Sequence, residues 1–163
     1  MESARLELAR WELAAAVDEL KSFAANVGAR VPRKALGSLY YTAFHLVQTL
    51  LASRGVSART HNGVQVAFAL HFVKPGTVSK ASAKALSELQ AVRERADYQV
   101  GLAYDADDVR RHLETAAPLI EELADVVAAT PGLDTRALRA AWSAARAGVP
   151  AAAKRGAKSR ARR

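Results

Sequence analysis

The sequence predicts an all-α protein, an up-and-down antiparallel bundle of four long helices plus a short one. Three observations carry this: apolar residues recur at helical spacing along most of the chain, no alternating β-branched run occurs, and glycine or proline punctuates it where short connections are needed. At 163 residues, half of them hydrophobic, the chain has enough apolar surface for one core.

The first segment sets Leu6, Leu13, Val17, Leu20 and Val27 near one face, which predicts an amphipathic helix over residues 3–27, closed by Gly28. After Val31-Pro32, the stripe Leu36, Tyr40, Ala43, Phe44, Val47, Leu50 and Leu51 predicts a second helix, stopped at Arg54-Gly55. Thr60 is placed to cap a third, shorter helix through Leu70, and Lys74-Pro75-Gly76 breaks it. Ser79 is placed to cap a fourth, carrying Leu86, Leu89, Val92 and Ala96 inward. The acids Asp105, Asp107 and Asp108 suit the positive end of a fifth helix, whose apolar face runs from Val109 to Val127 through Pro118, a potential kink. Pro131-Gly132 marks the end of the packed unit, so residues 1–130 are expected to form the bundle. Residues 131–148 are expected to add a helix with Leu138 and Trp142 on one side. Residues 149–163, rich in Ala, Lys, Arg and Gly, read as a basic, disordered tail.

The formal charge of +8 is unevenly placed. Six of the Lys and Arg residues fall between Lys154 and Arg163 with no acid among them, so the rest of the chain is nearly neutral. Lys154, Arg155, Lys158 and Arg160 are therefore candidate contacts to RNA or another polyanion, through release of phosphate counterions. The competing reading is a solubilising terminus, since no aromatic accompanies the charge for base stacking. With no cysteine there is no disulfide, thiolate nucleophile or Cys-ligated metal. The absence of a long apolar run predicts a cytoplasmic protein without a membrane span. No His spacing suits a metal, no glycine-rich loop suits a phosphate, and no cofactor is expected.

Three runs carry a resemblance: Ser38-Leu39-Tyr40-Tyr41-Thr42-Ala43-Phe44-His45; Thr60-His61-Asn62-Gly63-Val64 followed by His71-Phe72-Val73-Lys74; and Arg93-Glu94-Arg95-Ala96-Asp97-Tyr98. In order and spacing they resemble small stand-alone prokaryotic HEPN proteins, over roughly residues 1–128. The resemblance implies a homodimeric helical bundle, often encoded beside a nucleotidyltransferase that serves as its antitoxin. It also implies, for many members, a metal-independent ribonuclease site at the protomer interface, built on an Arg followed by four to six residues and a His. Here the positions reached from Arg93 hold Tyr98, Gln99 and Val100, and those from Arg95 hold Val100, Gly101 and Leu102. The signature histidine is absent.

Cleaving RNA without a metal needs a base for the 2′-hydroxyl, an acid for the leaving oxygen and a cation for the phosphate. Arg93 is the candidate phosphate ligand, Asp97 the base or orienter, and Tyr98 a hydrogen-bond partner for phosphate or base. Arg95 and His61 are further RNA- or nucleotide-binding candidates. Each has a structural alternative: Arg93 and Asp97 are four apart and suit an ordinary helical ion pair, Tyr98 suits packing or capping, and His61 suits a cap. His45 reads more readily as a packing histidine, His71 as a contact to the last carbonyls of its helix, and His112 as solvated or partner-facing. Tyr40 and Tyr41 point about 100° apart, so one of them must leave the core. Two functions remain open on these grounds: an RNA-attacking effector or toxin, and a non-catalytic dimeric module that binds RNA, a nucleotide or a partner.

Overall fold

The computed structural model describes residues 2–151. Six helices make up this part of the chain: α1 (Glu2–Gly28), α2 (Pro32–Ser53), α3 (His61–Phe68), α4 (Lys80–Tyr98), α5 (Ala106–Ala128) and α6 (Arg136–Ala147). No strand occurs among the described residues.

Local chemistry accounts for the boundaries. Pro32 opens α2 at a position where a missing N–H costs nothing. Thr60 caps α3 by accepting from Gly63 N, and Ser79 caps α4 by accepting from Ser82 N. Asp105 and Asp108 form a reciprocal capping box at the start of α5, each carboxylate accepting from the other's backbone N–H at 2.9 Å. α5 runs on through Pro118. α3 does not simply stop: Ala69–Val73 widens into a π-helical turn, in which Lys74 N reaches back to Ala69 O at 2.8 Å. Arg54, the residue after α2, donates to His71 O at 2.6 Å and lies 4.1 Å over the Phe72 ring.

α2 is the central helix, packed against α1, α4 and α5, which explains why it buries residues almost all round its circumference. Ser38 Oγ donates to Ser22 Oγ at 3.0 Å and His45 pairs with Glu12, which sets α1 and α2 antiparallel. Of the expected stripe, Leu13 and Leu20 are buried in the inward face of α1, which Ala9, Ala16 and Phe23 complete, while Leu6, Val17 and Val27 are only partly buried. Alanines at that seam let the two backbones approach closely, and the larger Leu6, Val17 and Val27 flank it. At the start of α4, the Glu122 carboxylate of α5 accepts from Ser79 N, Ser79 Oγ and Ser82 Oγ, which pairs these helices antiparallel. α6 buries Leu138, Trp142 and Ala145 and packs on α1 and α5, with Arg139 held to Asp125 at 2.7 Å. Among the described residues no helix is long and apolar enough to cross a membrane.

Candidate functional site

α2 carries its aromatic run across the edge of the core. Tyr40 is 1% exposed and faces inward, whereas Tyr41, Phe44 and His45, at helical spacing, form a half-buried stripe. The capped start of α3 brings His61 onto that stripe, its ring 4.9 Å from Phe44 and 6.2 Å from Tyr41. His45 stands 5.6 Å from Phe44 and 6.4 Å from Tyr41. From α4, the Arg93 guanidinium lies 5.2 Å over the Tyr41 ring. One tyrosine thus gathers a guanidinium and two imidazoles from three helices.

Each imidazole has a fixed partner. Tyr40 Oη lies 2.8 Å from His61 Nδ1 and 3.5 Å from Gln90 Oε1. Gln90 Oε1 also accepts from Gln65 Nε2 at 2.5 Å, and Gln90 Nε2 donates to Glu94 Oε1 at 2.8 Å. Burial above all, and then the neighbouring Tyr41, push the Tyr40 phenol well above its ordinary range; Arg93 opposes the rise and Glu94 adds to it. Tyr40 therefore remains a proton-bearing hydroxyl. His45 Nδ1 lies 2.7 Å from Glu12 Oε2, and both side chains are about one-quarter exposed.

Arg93 and Asp97 meet as the helical pair their spacing predicts, Nε to Oδ2 at 2.9 Å. The carboxylate lies off the line of the Nε–H, so this buried nitrogen gains an ionic contact without a directed hydrogen bond. The Arg93 side chain is only 15% exposed, and its position is fixed between Tyr41 and Asp97.

The other candidates are not all gathered here. Tyr98 is 77% exposed and neither packs under the bundle nor caps α4. Arg33 of α2 performs the capping, donating to the carbonyls of Ala96, Gln99 and Leu102 while its guanidinium lies 5.5 Å over the Tyr104 ring. Arg95, two residues from Arg93, lies on a different face of α4, where its charge acts on His112 of α5. His112 is not a freely solvated residue: it is half-buried, and burial, then Arg111 and Arg95, disfavour its protonation against Asp108 and Glu88. Lys154, Arg155, Lys158 and Arg160 lie outside the described residues. Among the described residues no group of three or more His, Asp or Glu is arranged to hold a metal. The residues missed from sequence are Glu12, Gln65 and Gln90, each of which meets its partner from another helix. The run from Tyr40 to His45 was visible, but nothing local showed that His61 and Arg93 would join it.

The family model of the HEPN domain matches residues 7–126. The chain belongs to the HEPN domain family. It is 28% identical over 93 residues to a UPF0332 protein of Thermotoga maritima, covering 57% of this chain and 70% of that one. It is 32% identical over 83 residues to the UPF0332 protein PH1297 of Pyrococcus horikoshii, covering 51% of this chain and 55% of the other. A third relative, from Methanocaldococcus jannaschii, bears the name "Putative toxin MJ0605" and is 30% identical over 66 residues, 40% of this chain and 49% of its own length. The similarity thus spans about half the length of the last two relatives. In this HEPN chain, the matched region includes the Tyr41 cluster from Glu12 to Asp97.

Proposed function

We propose that this HEPN protein is a toxin-like effector that acts on RNA as a homodimer in the cytoplasm and is restrained by a nucleotidyltransferase-type antitoxin. Family membership and the toxin-named relative support the toxin-like role. The observation that carries the RNA reading is the Arg93 guanidinium, held over Tyr41, a half-buried ring that two imidazoles also approach. A planar cation there suits a phosphate, and half-buried rings beside it suit unstacked bases. Asp97 orients Arg93, exposed Tyr98 supplies a hydrogen bond to phosphate or base at the end of α4, and the Lys154–Arg163 segment adds charge. A closed two-fold dimer, the commonest soluble assembly, places two such surfaces on one particle.

Inducible expression tests the reading. The chain alone should arrest growth and degrade RNA, co-expression of a nucleotidyltransferase encoded beside it should relieve the arrest, and Arg93→Ala should abolish it. Light scattering should give twice the 17.4 kDa chain mass at tens of micromolar protein. One observation favours a second reading, a non-catalytic module that binds RNA, a nucleotide or the partner: no histidine follows Arg93 or Arg95 at the family's spacing. Purified protein that retains RNA without ever cutting it would select that reading.

A further inference from the structure

The two imidazoles around Tyr41 are held in opposite tautomers by their partners. Glu12 offers His45 a carboxylate, which can only accept, so His45 Nδ1 carries the proton at 2.7 Å and Nε2 presents a bare lone pair in the neutral ring. His61 faces a hydroxyl instead. Tyr40 Oη is 2.8 Å from His61 Nδ1 but 3.5 Å from Gln90 Oε1, at the limit of a hydrogen bond, so the imidazole nitrogen is the stronger acceptor. Gln90's own orientation is fixed from its other end, where Nε2 donates to Glu94. The Tyr40 proton is therefore directed to His61 Nδ1, and the neutral His61 ring carries its proton on Nε2. One imidazole offers a lone pair, the other an N–H, and both pack against Tyr41 and Phe44, with Arg93 over Tyr41.

We propose that His45 and His61 are the general base and general acid of a phosphodiester-cleaving site, supplied by α2 and the start of α3 in place of the histidine that α4 lacks. This rests on the RNA reading above. The substrate is a single RNA strand with a free 2′-hydroxyl, and Arg93 holds the scissile phosphate. His45 Nε2 takes the proton of the 2′-hydroxyl as O2′ bonds to phosphorus. The bond from phosphorus to O5′ breaks, and O5′ takes the Nε2 proton of His61, which enters this step as the imidazolium with its Nδ1–H donating to Tyr40 Oη and leaves it neutral. The products are a 2′,3′-cyclic phosphate and a 5′-hydroxyl; the proton gained by His45 and the one lost by His61 balance through water. Glu12 and Tyr40 are positioning residues: Glu12 sets the tautomer of His45, and Tyr40 orients the His61 ring through Nδ1.

The test uses the 163-residue chain and two RNA dinucleotides, one natural and one with sulfur in place of the 5′-bridging oxygen, whose thiolate leaves without a proton. His45→Gln should lose about 100-fold or more on both substrates, within the usual range for general acid–base catalysis. His61→Gln should lose as much on the natural dinucleotide and recover on the sulfur one. Melting temperatures confirm that each variant is folded. Nitrogen-15 NMR of the parent, which needs no variant and no activity, should find the proton on Nδ1 of His45 and on Nε2 of His61, and Glu12→Gln should disturb only the first. A parent that cuts RNA while both histidine variants stay within threefold of it would overturn the pair and leave the RNA reading standing. A His45 proton found on Nε2 would overturn the base assignment whatever the activity. A parent inert towards RNA would overturn the RNA reading, and the proposed pair with it.

Discussion

Replacing Arg93 by alanine separates a catalytic cation from a structural clamp, because the structure sets the two effects at different sizes. On the stability side, three things are lost. The ion pair to Asp97, whose side chain is 36% exposed, contributes ~0–1 kcal/mol. The contact over Tyr41 contributes ~0.5–1 kcal/mol, and the buried stem of a side chain only 15% exposed adds roughly 1 kcal/mol. Asp97 stays exposed enough to be hydrated, so no stranded charge enlarges the sum. The expected cost is about 2 kcal/mol, against the roughly 5–15 kcal/mol of a typical domain, and a fall in Tm of about 4–8 °C. Asp97→Ala should cost no more than about 1 kcal/mol, since it leaves the cation–π contact in place. On the activity side, removing a preorganised donor to the phosphate should cost about 100- to 1000-fold in RNA cleavage at 25 °C, where both variants remain folded. The assay is paired: thermal unfolding by circular dichroism, and cleavage of a labelled RNA strand with the same preparations. Arg93→Ala protein that melts several degrees lower yet cleaves like the parent would refute the reasoning, and so would a variant that loses activity only as it unfolds.

Gly132 holds φ +82° where the α5–α6 turn meets α1, and a Cβ would come within 3.2 Å of Leu6 Cδ1, so Gly132→Ala should destabilise by about 1–2 kcal/mol in urea unfolding. Trp142 is 8% exposed and donates through Nε1 to Glu121, so Trp142→Ala should cost about 3–5 kcal/mol; a loss below 1 kcal/mol would mean that α6 contributes little to the core. Hydrogen bonds from Arg136 hold the Asp134 carboxyl down at about 2, so the stability it contributes is present above its ordinary 3.8 and is lost as pH falls from there through about 2. NMR titration should find that midpoint, and Arg136→Ala should return it towards 3.8. Deleting Lys154–Arg163 should leave Tm unchanged and flatten the dependence of log RNA affinity on log salt; an unaltered slope would leave the tail a solubilising role.

The fold was legible where its causes are local. Thr60, Ser79 and Asp105 each satisfy a backbone N–H three residues on, so the sequence alone announces three helix starts. Misreadings arose where side-chain size stood in for packing. Leu6 and Val27 outrank Ala9 and Ala16 in hydrophobicity, but an antiparallel neighbour as close as α2 selects the small residues for the seam. The end of α4 was unreadable for a different reason: the guanidinium that caps it, from Arg33, is 63 residues away from Ala96. Tyr98, the local candidate, is left exposed by that arrangement.

The site follows from the position of α2. A helix enclosed by α1, α4 and α5 has few residues that can stay half-exposed, and Tyr41, Phe44 and His45 occupy the strip that α3 only partly covers. Side chains there are held by the core on one side and open to a ligand on the other, which is what a preorganised polar site requires. On the proposed reading, the same enclosure makes the spacing along α4 a poor guide to chemistry in this chain. Arg93 is set by Tyr41 of α2 and by Asp97, and the imidazoles that approach Tyr41 come from 33 residues beyond Glu12 and from the start of α3. A motif written along one helix records one route to bringing a cation and an imidazole together. In the site proposed above, packing three helices around Tyr41 is another, and only the three-dimensional arrangement suggests it.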